Sequence, residues 1–157
     1  MENRYDIGVD PDSNTHGLAL YINKNLVSLH KFNLMQLYEF RSKALFIDGQ
    51  ELLYGQPVIN WHVEDVTKNN AIFAKHLTKN PNANYAIARK VGKLQQSAIE
   101  LHQLIEYFFP NDIINLHPIS SQWKNKQGKI IFEKCTGWVK QSNEDTRSAA
   151  YFGFLGL

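Results

Sequence analysis

Cysteine is almost absent from this chain. Cys135 stands alone among 157 residues, which excludes an internal disulfide framework and a cysteine-built zinc cage. Long apolar runs are missing as well. Stretches such as Ala44-Leu45-Phe46-Ile47 end after a few residues, far short of a membrane-spanning helix. The opening Met1-Glu2-Asn3-Arg4-Tyr5-Asp6 has no apolar signal core, so an intracellular, cytoplasmic protein without membrane association is expected. Charged residues are few at 20%, and hydrophobic residues reach 43%. That balance excludes a disordered polyelectrolyte and suffices for one packed core, so a single domain over residues 1–157 is expected.

Net charge is also small, at +2, but its distribution is uneven. Between Val66 and Asn143 there are eleven Lys or Arg against four acids, a balance of +7, and the remainder carries six against eleven, or −5. A basic middle beside an acidic remainder suits a protein that grips a polyanion next to a carboxylate cluster. Ordinary solvated lysines would give the same count, so charge alone leaves nucleic-acid binding open.

Hydrophobic periodicity supplies the organisation. Tyr5 to Asp10 reads as a strand ended by Pro11, which lacks a ladder donor. Gly17 to Ile22 and Leu26 to Phe32 complete an antiparallel meander. Leu34 to Phe46 has helical spacing. Val58 to Glu64 is a fourth strand. Thr67 to Asn84 is a long polar connection of the kind that usually carries a function or is disordered. Tyr85 to Phe109 is the strongest helix, with Ala88, Val91, Leu94, Ala98, Leu101 and Ile105 spaced at three and four and Pro110 as its stop. Asp112 to His117 forms a fifth strand. Ser120 to Cys135 reads as a mostly helical, basic segment. Asn143-Glu144-Asp145 caps a last helix from Thr146 to about Leu155. The order predicts an α/β fold, a mixed five-stranded sheet flanked by helices on both faces.

Three acids fall at element ends. Asp10 closes the first strand, Glu64 the fourth, and Asp145 opens the last helix. Acids at such ends can converge on the crevice where open α/β sheets bind ligands. Converging carboxylates repel one another unless a cation lies between them, and an oxygen-only set favours Mg2+ or Mn2+. Two such ions can bracket a phosphodiester. Singly, each acid also has a plain structural reading: turn, strand-end charge, helix cap.

The residues resemble a known family, the RuvC-like Holliday junction resolvases of the ribonuclease H-like superfamily, in particular its small phage-type members. Ile7-Gly8-Val9-Asp10-Pro11-Asp12-Ser13 with Gly17 resembles the opening strand. His62-Val63-Glu64-Asp65-Val66 resembles the strand bearing the catalytic glutamate. Ala88 to Lys93 with Ala98-Ile99 resembles the long central helix, Pro118 to Lys124 the proline–lysine segment, and Asn143 to Ala150 the acidic start of the last helix. The resemblance spans nearly the whole chain.

It implies a ribonuclease H-like fold and a structure-selective endonuclease that resolves Holliday junctions or other branched DNA. Asp10, Glu64 and Asp145 would hold Mg2+ or Mn2+, two ions in all, and Lys124 would touch a phosphate. Phe73 would wedge into the junction. Lys75, Lys79, Arg89, Lys90, Lys93, Lys126 and Lys129 would join Lys124 along the DNA. A homodimer is implied, because a four-way junction is two-fold symmetric, and no small-molecule cofactor. One departure stands out: where the family carries a second aspartate in the last helix, this chain has Ser148, which could hold a metal-bound water instead. Asp12 or Glu144 could supply the missing charge. That departure keeps a non-catalytic branched-DNA binder in view, and a related nuclease acting on structured RNA would use the same carboxylates. A nucleotide-binding protein of the actin–sugar kinase type would need two lobes, for which the chain is too short.

Overall fold

A computed structural model describes residues 3–42, 46–47, 50–51, 57–67 and 78–157. Three strands open the chain, β1 (Tyr5–Asp10), β2 (His16–Ile22) and β3 (Asn25–Phe32), followed by α1 (Leu34–Ser42). A short hairpin of β4 (Phe46–Ile47) and β5 (Gln50–Glu51) comes next. Then come β6 (Ile59–Glu64), α2 (Pro81–Phe108), β7 (Ile113–His117), α3 (Lys126–Thr136) and α4 (Glu144–Leu155). The main sheet has five strands in the order β3-β2-β1-β6-β7. β1, β2 and β3 pair antiparallel, whereas β6 lies parallel to β1 and β7 parallel to β6. The expected mixed sheet is therefore present.

The alternation of side chains along β1 explains its layering. Tyr5, Ile7 and Val9 face one side, where they pack with Leu18, Leu20, Trp61, Val63 and with Leu101 and Ile105 of α2. Ala19 and Tyr21 face the other side, with Ala149 and Ala150 of α4, Phe132 of α3 and Trp123. Helices thus cover both faces. The α4 face requires small residues. A Cβ on Gly8 would lie 1.9 Å from the Ala149 carbonyl oxygen, and one on Gly17 would lie 2.3 Å from that of Asp145. Tyr21 secures the contact by donating its hydroxyl to the Ala150 carbonyl at 2.7 Å.

At the opposite end of the sheet, buried Asp112 anchors the entry to β7. It accepts from Arg41 Nε and Nη2, each at 2.8 Å, from the Ile59 amide at 3.0 Å and from Trp61 Nε1 at 2.9 Å. A bidentate guanidinium and two further donors satisfy the carboxylate out of water.

Several expected boundaries move. The first helix stops at Ser42, and Phe46 and Ile47 lie in the β4 strand instead. The long helix begins at Pro81 rather than Tyr85, because Asn80 caps it by accepting from the Asn82 and Ala83 amides and proline suits a first turn. The basic segment turns helical only at Lys126, where the Asn125 side chain caps it on the Gly128 amide. The last helix starts at Glu144, and Asn143 alone is its cap, in a reciprocal box with Thr146. Cys135 is exposed on α3. No helix among the described residues is long and apolar enough to cross a membrane.

Candidate active site

Parallel β1 and β6 end side by side, which brings Asp10 and Glu64 to one edge of the sheet. Both side chains are buried, Asp10 at 5% and Glu64 at 5% exposure, and they are in hydrogen-bond contact. Burial first, and the Asp10 charge second, push the Glu64 carboxyl up to about 8. Two groups oppose the shift. Lys124 attracts the ionised form, and the Ser120 amide donates to Glu64 Oε1 at 3.1 Å.

Lys124 completes this cluster, its Nζ 3.1 Å from Asp10 Oδ2. Burial alone would lower its pKa, but the Asp10 and Glu64 charges outweigh that and hold it above the ordinary lysine value. Its backbone is held firmly. Trp123, just before it, has a left-handed φ of 65°, a conformation that costs a non-glycine residue of order 1–3 kcal/mol. Buried Arg147 of α4 stabilises the turn by donating to the Trp123 carbonyl at 2.8 Å and the Lys124 carbonyl at 2.6 Å. Gly128 passes so close to Trp123 that a Cβ there would sit 2.5 Å from its Cα.

Asp145 opens α4 directly over Gly17. Its carboxylate accepts from Lys31 Nζ at 2.6 Å, and Lys31 is the β3 partner of Gly17 in the sheet register. Asp145 also lies in the electrostatic field of Lys124. The three acids therefore gather at one end of the molecule, with Asp10 and Glu64 sharing Lys124 and Asp145 paired with Lys31. Among the described residues, no group of three or more His, Cys, Asp or Glu side chains is close enough to hold one metal ion. Ser148, one turn along α4, is fully buried and its hydroxyl has no hydrogen-bond partner. Asp12 sits in the turn after β1 with its amide on His16 Nδ1 at 3.3 Å, and Glu144 is exposed.

The basic residues divide between two places. Arg89, Lys90 and Lys93 line a shallow pocket on the first half of α2, where no residue before Ser97 is buried. Lys126 and Lys129 are exposed on α3, and Lys79 is exposed just before α2. Phe73 and Lys75 lie outside the described residues.

Sequence reasoning assigned no role to Lys31, His16 or Arg147. No local pattern marks Lys31, whose position depends on strand register. His16 is buried, its Nε2 has no hydrogen-bond partner, and burial lowers its pKa against the pull of Asp12, Asp10 and Glu100. His62 is a buried residue of β6. Its Nε2 meets Asp6 Oδ1 at 3.0 Å and its Nδ1 meets His117 Nε2 at 3.1 Å.

Comparison with solved structures finds RuvC of T. thermophilus in complex with Holliday junction substrate. That structure is 12% identical, with a TM-score of 0.50, over 96% of this chain and 90% of the other. The fold is RuvC-like. No family model matches the sequence, and no curated protein matches it. At this identity the likeness carries the ribonuclease H-like architecture only. Within that RuvC-like fold, the site's chemistry rests on the residues described above.

The donor set at Asp10 and Glu64 consists of hard oxygens, which fits a divalent ion of the Mg2+ or Mn2+ kind between two carboxylates. Burial and, second, the neighbouring Asp10 charge raise the Glu64 pKa, and a cation between the two carboxylates would relieve both.

Proposed function

We propose that this protein is a structure-selective endonuclease that cleaves four-way or otherwise branched DNA by divalent-metal-dependent hydrolysis of a phosphodiester. The observation that carries the reading is the buried contact of Asp10 with Glu64, backed by Lys124, at the carboxyl ends of parallel strands in a RuvC-like fold. The structural neighbour is itself bound to a Holliday junction.

In this reading Asp10 and Glu64 hold Mg2+ or Mn2+, with Asp145 and Ser148 at the margin of the same site. The bound metal lowers the pKa of water and neutralises charge at the phosphate. Lys124, held by the Arg147 clamp, places its ammonium against a phosphate oxygen. Arg89, Lys90, Lys93, Lys126 and Lys129, with Lys79, Phe73 and Lys75, grip the flanking DNA. Two copies of the chain act on the two strands of one junction. Exposed Ile99 and Phe108 on α2 are available for that pairing.

The test is junction cleavage in Mg2+ or Mn2+ by purified protein. Asp10→Asn and Glu64→Gln should each abolish incision, and an unchanged rate in either would end the assignment. A second reading, a junction-binding protein with little or no cleavage, is favoured by Ser148 in place of an acid and by the Lys31 pair on Asp145. Tight binding without metal-dependent incision would establish it. Cleavage of structured RNA in preference to DNA would redirect the substrate assignment but not the chemistry.

A further inference from the structure

A two-ion phosphodiester site needs enough carboxylates for two dications, one on the attacking side and one on the leaving side. Around Asp145 this chain falls short in two ways. The residue one turn on is Ser148, neutral, buried and unpartnered. The Asp145 carboxylate is taken by a lysine at 2.6 Å. That lysine is not an incidental surface neighbour. Gly17 and Lys31 are directly paired across β2 and β3. Because Gly17 has no side chain, α4 settles onto it, with the Asp145 backbone where a Cβ would be. The register therefore delivers Lys31 Nζ to the start of α4.

We infer that the site is built for a single divalent ion, between Asp10 and Glu64, and that the Lys31 ammonium stands in for the second cation beside Asp145. This rests on the nuclease reading and refines its metal requirement. One positive charge replaces two where one negative charge, the missing fourth acid, has been lost. Local neutrality is kept. In hydrolysis the water oxygen forms the new bond to phosphorus and its proton passes to solvent. The bond from phosphorus to the 3′-oxygen breaks with its electron pair on that oxygen. The Lys31 ammonium stabilises this developing charge until the oxygen takes a proton from water. One water is consumed, leaving a 5′-phosphate and a 3′-hydroxyl.

The experiment counts Mn2+ ions on the full chain by electron paramagnetic resonance, alongside the dependence of junction cleavage on Mg2+ concentration. The wild type should take one Mn2+ per chain and cleave with first-order dependence on Mg2+. Lys31→Met, at a side chain 41% exposed, should still take one ion and cleave at least tenfold more slowly. The double variant Lys31→Met with Ser148→Asp should gain a second ion and second-order dependence. Two ions of comparable affinity on the wild type, or a Lys31→Met rate within twofold of it, would overturn the inference and leave the nuclease assignment standing. Should the double variant fail to fold, those two results decide alone. A wild type that takes no Mn2+ and does not cleave would instead remove the nuclease assignment itself.

Discussion

In the proposed reading Glu64 sets stability against metal binding in one side chain, and that conflict can be measured without DNA. The perturbation is Glu64→Gln in a metal-free buffer. In the folded chain burial and the Asp10 charge push the carboxyl from 4.5 to about 8. The folded state therefore keeps a proton that the unfolded state gives up above its ordinary value. Stability falls as pH rises across that window, and below it the two states are protonated alike. At pH 7, about 2.5 units above the ordinary value, the cost is about 3 kcal/mol at one pKa unit per 1.4 kcal/mol, and less to the extent that water relaxes the site. Glutamine keeps the shape and the acceptor for the Ser120 amide but has no proton to lose. Urea titrations in EDTA should show the variant more stable than wild type by about 1–3 kcal/mol at pH 8. The advantage should fade towards pH 4.5. Using the difference between the two proteins cancels His16 and His30, whose pKa values burial lowers and which act on both alike. Millimolar Mg2+ should stabilise wild type and leave the variant unmoved. A stability difference that does not change with pH, or a variant less stable at pH 8, would refute the reasoning.

Three further outcomes follow from the packing and the charges. Gly8→Ala should cost about 2–3 kcal/mol in chemical denaturation, because its methyl would lie 1.9 Å from the Ala149 carbonyl oxygen and force α4 off the sheet. Asp112→Ala should cost about 3–5 kcal/mol, because it leaves the buried Arg41 guanidinium without its counter-charge and strips the Trp61 and Ile59 donors of their acceptor. Lys124→Ala should reduce cleavage at least about 100-fold while junction affinity changes far less, and that affinity should drop steeply with salt in gel-shift titrations, as for any protein that displaces counterions from phosphates.

Much of this molecule was legible in the order of its residues. Alternation along Tyr5 to Asp10 and the three-and-four spacing from Ala88 to Ile105 are local signals, and burial against a sheet is what produces them. The ends of those elements followed from cap and breaker chemistry, although the Asn80 cap starts the long helix at Pro81, four residues before the apolar pattern begins, and Asn143 starts the last helix at Glu144. Acids at strand and helix ends were visible as candidates for one site because element ends of an α/β sheet share an edge. What no local pattern contains is distance between side chains far apart in the chain. Parallel pairing of β1 with β6 put Asp10 against Glu64. The register of β2 on β3 put Lys31 beside Asp145, a pair 114 residues apart. The Arg147 clamp on the backbone of Lys124 likewise exists only once α4 has packed. Sequence periodicity determines which face of an element turns inward. Only the assembled sheet, through register and the close approach that Gly8 and Gly17 permit, decides which charges meet.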